Sequence, residues 1–138
     1  MISPPYNIDM YRLVISEEAR SEDLADLAIA LNEIVRLPVT IRGMKYPGVR
    51  VEKGKVVDRD YTGPILEEVI RTGKAIRTVP ESGAYKGVPV SVAPILVQGR
   101  AIAAIGIVDV VGTIDIPEVF GAYADVLAQV EGKASERK

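Results

Sequence analysis

The chain has 138 residues, 48% hydrophobic and 26% charged, with 17 basic against 19 acidic side chains and a formal net charge of -2. That length supports one domain with its own core, and the near-neutral balance argues against disorder and against a nucleic-acid partner. The absence of Cys and His excludes disulfides, thiol nucleophiles, imidazole bases, and zinc or haem sites of the usual kind.

No apolar run reaches the roughly 20 residues needed to span a bilayer, and the start MISPPYNIDMYRL lacks the basic-then-apolar order of a leader. A cytoplasmic protein is expected, without membrane contact and with no cofactor implied.

Residues 1–15 carry Pro4 and Pro5 before NIDMYRLVI, where a short strand and a helical turn both remain open. From Ser21, Leu24, Leu27, Ala28, Leu31, Ile34 and Val35 recur at helical steps. Ser21 is the expected cap, Glu22 and Asp23 suit the positive end of the dipole, and Pro38 is the stop.

VTIRG (39–43) and VRVEKGKVVD (49–58) read as two or three short strands turning at EKGK. TGPILEEVIRTG then predicts a short helix opened by Thr62 and Pro64. Ile65, Leu66, Val69 and Ile70 share one face, and Gly73 stops it.

AIRTV (75–79), VPVSVAPILV (88–97) and AIAAIGIVDVV (101–111) follow as strands, the last two joined at QGR and apolar enough to be central and covered on both sides. A last helix is predicted from Asp115 and Glu118, a capping box, through Val119, Phe120, Tyr123, Leu127 and Val130. The order α-β-β-α-β-β-β-α implies an α+β domain spanning residues 1–138. Its antiparallel sheet has five or six strands, with flanking helices packed against it in two layers.

The run from Gly63 to Val110, with its TGK, GVPVSVAPI and AIGIVD segments, resembles the GAF, PAS and Cache group of sensory domains. More narrowly it looks like a family of short single-domain proteins from methane-producing archaea. The resemblance implies a GAF/PAS-like (profilin-like) fold, while function carried over from a fold is analogy. A tetrapyrrole held through Cys or His is excluded here. Roadblock-type dimerisation modules share the element order without a sequence match.

Candidate ligand-binding residues are Arg42, Arg77, Tyr85, Lys86, Ser91 and Asp109. Asp109 ends an apolar strand, either as a carboxylate that has reached the rim or as a pocket acid holding an amine or hydroxyl. The loop PESGAYKGVP can bring backbone N–H groups, Tyr85 and Lys86 to an anion, or be an ordinary exposed loop. Arg42 and Arg77 either lie at a sheet edge, the preferred reading, or point inward to a carboxylate or an acidic ligand. Ser91 is an interior hydroxyl that can bond to backbone. The basic run Arg42, Lys45, Arg50, Lys53 and Lys55 reads as a solvated strand face.

The expected function is a non-catalytic small-molecule sensor whose pocket lies under the loop at 80–89, acting through a partner or a homodimer formed by the terminal helices. The alternative is an assembly module without a metabolite. A small enzyme is less favoured, since no nucleophile with a neighbouring base is recognisable.

Overall fold

The computed structural model describes residues 11–109. The open reading of the first residues and the predicted C-terminal helix, with Asp115 and Glu118, lie wholly or largely outside them.

Helix α1, Ser21–Val35, begins one residue earlier than its expected cap implies. Arg20 is the N-cap, and its backbone N–H donates to the Asp23 carboxylate at 2.9 Å. Ser21 is instead a buried helical residue. The helix ends at Arg36 in the left-handed region, before Pro38 is reached.

The strands are β1 (Val39–Gly43), β2 (Gly48–Glu52), β3 (Lys55–Tyr61), β4 (Ile76–Thr78), β5 (Val90–Val97) and β6 (Arg100–Val108), with α2 (Pro64–Thr72) between β3 and β4. They form an antiparallel sheet in the order β3-β2-β1-β6-β5-β4. The two tight hairpins turn at Lys53-Gly54 and Gln98-Gly99, all four residues having positive φ. That geometry matches the twist of the strands they join, and glycine adopts it without a Cβ penalty.

Alternation along the strands splits the core in two. Val39, Ile41, Val49 and Val51 pack with Leu24, Ala25 and Ala28 of α1. Val90, Val92, Ala104 and Val108 point to the other face and pack with Leu66 and Val69 of α2. The helices therefore cover opposite faces, so the described fold has three layers where two were expected. Each fully buried Val, Leu or Ile contributes about 1.5–3 kcal/mol of transfer free energy, which is what holds both helices down.

Two further expectations change. Ile34 is 76% exposed, because the face of α1 that meets the sheet is centred on Leu24 and Ala28. β6 is central, but β4 pairs only with Val90–Val92, so among the described residues the later part of β5 has no neighbour on that side, and Leu96 and Val97 are half exposed. Edge strand β3 carries Asp58, Arg59 and Asp60, charges that discourage edge-to-edge pairing.

Candidate functional site

A cleft lies between α2 and the sheet, beneath the loop that joins β4 to β5. Thr40, Val92 and Gly106 form its floor, Leu66 and Pro64 a wall, and Ser82 and Tyr85 its roof. Gly106 keeps the floor low: a Cβ there would stand 2.7 Å from Thr40 Oγ1 and 3.2 Å from Val92 Cγ2. The cleft leaves about 30 Å³ open to water, room for one or two waters and far below the roughly 300 Å³ of a drug-sized pocket. Anything larger enters only if the roof moves.

The roof is fastened across the sheet. Tyr85 donates its hydroxyl to Glu52 Oε2 at 2.6 Å, so a loop that starts beside β5 reaches β2, three strand spacings or about 14 Å away. Within the loop, Gly87 N–H donates to Pro80 O at 3.0 Å and Val88 N–H to Tyr85 O at 3.0 Å. The Tyr61 ring meets Tyr85 edge-on, with centroids 6.4 Å apart.

Arg50 backs this cluster. Its Nη1 pairs with Glu52 at 3.0 Å, and its guanidinium lies 5.8 Å from the ring centroids of both Tyr61 and Tyr85. Among the described residues its buried Nε meets no hydrogen-bond partner. Burial and the bond to Glu52 push the Tyr85 phenol well above its ordinary range, against the opposing pull of Arg50. Burial likewise raises Tyr61. Both phenols stay protonated at neutral pH, which suits hydrogen-bond donors and not general bases.

The candidates read from the sequence do not form one site. Arg42, expected at an edge, lies on central strand β1 with its side chain only 11% exposed. It donates to Thr62 Oγ1 at 2.7 Å and Gly43 O at 2.9 Å, and Glu67 stands 3.6 Å away. It ties β1 to the start of α2. Arg77, Ser91 and Asp109 do meet, but on the face opposite the cleft: Ser91 donates to Asp109 Oδ2 at 2.9 Å, and Arg77 Nε lies 2.9 Å from Ser91 Oγ. Arg77 is on an edge strand and exposed, as expected. Lys86 is exposed on the roof.

Tyr85 alone of these candidates lines the cleft. Sequence reasoning missed Arg50, Glu52 and Tyr61. The basic run divides: Arg42 and Arg50 are largely buried on the α2 side, while Lys45, Lys53 and Lys55 are exposed as expected. Opposite charges two apart in a valine-rich strand, Arg50 and Glu52, were the available signal, because that spacing puts them on one face.

Two other features frame the site. A broad depression of about 790 Å³ runs between the end of α1 and the β2–β3 turn, beside buried Asn32. Asn32 is already satisfied there, donating to Leu37 O at 2.8 Å and accepting from Gly54 N–H at 2.7 Å. On the α1 side of the sheet, Leu27 and Leu31 are partly buried and Ile34 is exposed, beside partly buried Ile105 and Ile107. Among the described residues, no group of three or more acidic side chains is placed to hold a metal ion, and no helix is long and apolar enough to cross a membrane.

Residues 31–111 match the family described as an uncharacterized protein conserved in archaea (DUF2111). The chain belongs to this archaeal family. A relative from Methanocaldococcus jannaschii, named Uncharacterized protein MJ0405, is 42% identical over 117 residues, 84% of this chain and 83% of that protein. No solved structure matches the chain. The archaeal family's matched segment contains the whole sheet, α2 and the cleft, and takes in only the last residues of α1.

Proposed function

We propose that this archaeal chain is a non-catalytic small-molecule-binding domain of the sensor type, with its ligand site in the cleft beneath the β4–β5 loop. One observation carries the reading: an apolar, hydroxyl-lined cleft is roofed by a loop fastened across the sheet through the Tyr85–Glu52 hydrogen bond. In this reading the roof exchanges between a latched and a raised arrangement. A ligand that binds the raised form more tightly shifts the population toward it, and without that difference in affinity it shifts nothing.

The resemblance to GAF, PAS and Cache domains belongs to this proposal, supported by the six-stranded antiparallel sheet with a helix on each face. In this reading the protein works in the cytoplasm and passes the change to a partner or a second copy. Protonated phenols fit a binding role better than a nucleophilic one.

A second reading, an assembly module without a metabolite, rests on the uncovered apolar flank of α1 at Ile34. Native mass spectrometry of freshly purified protein, followed by denaturation of the same sample, separates the two. A small molecule released in stoichiometric amount supports the ligand site. An empty dimer that dissociates in the Ile34→Glu variant supports assembly.

A further inference from the structure

Resting on the reading of the cleft as a ligand site, we infer that its ligand is a compact, uncharged, largely apolar molecule with one hydrogen-bonding group, and that carboxylates and phosphates are rejected. Among the described residues, the lining contains no Lys, Arg, Asp or Glu. Its polar side chains are the hydroxyls of Thr40, Tyr61, Ser82 and Tyr85, each able to donate or accept. Tyr85 is occupied by Glu52, whereas Thr40 Oγ1 reaches Gly106 O only at 3.5 Å and has capacity to spare.

Among the described residues, the nearby cations that could receive an acid are committed or elsewhere. Arg50 is neutralised by Glu52 behind the two tyrosines, and Arg42 is held by Thr62, Gly43 O and the nearby Glu67. Arg77 lies on the opposite face with Asp109, and Lys86 is exposed on the roof. The first turn of α2 borders the cleft and would by itself favour an anion. Pro64 removes one of its free N–H groups, and the Glu67 carboxylate, accepting from Thr62 at 2.9 Å, already answers the positive end of that dipole. A charged ligand would lose its hydration here without a countercharge, which is costly in an apolar site. A neutral ring gains contact with Leu66 and Val92 and keeps its polar group on a hydroxyl.

The test uses the full wild-type chain and probes that share one ring but differ in charge: phenol and toluene against benzoate and phenyl phosphate at pH 7.5. The readout is the methyl resonances of Leu66, Val90 and Val92 during NMR titration. Phenol is expected to shift these methyls saturably, with benzoate and phenyl phosphate at least tenfold weaker. Benzoate binding as tightly as phenol through the same methyls would overturn the charge selectivity and leave the cleft standing as a ligand site. If no probe of either class moves them, the ligand site itself falls, and the inference with it.

Discussion

The Tyr85 hydroxyl donates to Glu52 at 2.6 Å, joining a loop to a strand 33 residues away in sequence. Its acceptor is a carboxylate that Arg50 also binds, so removing the donor leaves Glu52 paired and isolates the latch. Tyr85→Phe keeps the ring against Tyr61 and is expected to cost about 1–2 kcal/mol of stability in urea denaturation. Amide exchange in residues 80–89 should rise while that of α1 is unchanged. Unaltered exchange in the loop would mean that the roof is held by something else.

The raised phenols make stability pH-dependent in one direction. A group whose proton is held more tightly in the folded state contributes fully below its ordinary value, 10.0 for tyrosine, and loses that contribution as pH climbs through the folded value. Stability should therefore fall above about pH 10, and less steeply in Tyr85→Phe than in wild type. Equal slopes in urea titrations between pH 9 and 11 would contradict the burial of Tyr85.

Arg42 offers a test of helix placement. Its planar fork serves Gly43 O through Nε and Thr62 Oγ1 through Nη1, two separate nitrogens where lysine offers one. Both Arg42→Lys and Arg42→Ala should lose about 2–3 kcal/mol by urea denaturation. Full stability in the lysine variant would show that charge near Glu67 suffices.

Asn32 is 4% exposed and bonds at once to Leu37 O and Gly54 N–H. Asn32→Ala leaves both backbone groups without that partner, and a loss of about 2 kcal/mol is expected. Asn32→Asp should fare no better, since it keeps the acceptor, loses the donor and brings a charge into the core. Chemical denaturation of the two variants decides.

Asp109→Asn should change stability by about 1 kcal/mol or less. The Arg77 side chain opposite is 80% exposed and screened by water, and an amide oxygen still accepts from Ser91. A thermal-unfolding loss several times larger would identify a buried charge network at the end of β6.

Much of the fold was legible because its signals are local. The step of Leu24 and Ala28 along a helix, Pro64 opening α2, Gly73 ending it, and glycine hairpins at Gly54 and Gly99 depend on neighbours a few residues apart. Asp109 was legible as an acid following an apolar strand, whereas its contacts with Ser91 and Arg77 were not. Ile34 misled because it extends the helical spacing but falls on the flank that turns away from the sheet.

The candidate site was harder to see. Tyr85 stood out within its loop, yet nothing local ties it to Glu52, Arg50 and Tyr61, and Arg42 drew attention for a charge that Thr62, Gly43 and Glu67 consume. By itself the sequence determined the chemistry available, without thiol or imidazole, and the elements, because composition and short-range periodicity are properties of the chain. Only the tertiary structure decided which face each helix covers, which arginine is spent and which hydroxyls converge. Those outcomes depend on strand register and on contacts between residues far apart in sequence, which no window along the chain contains.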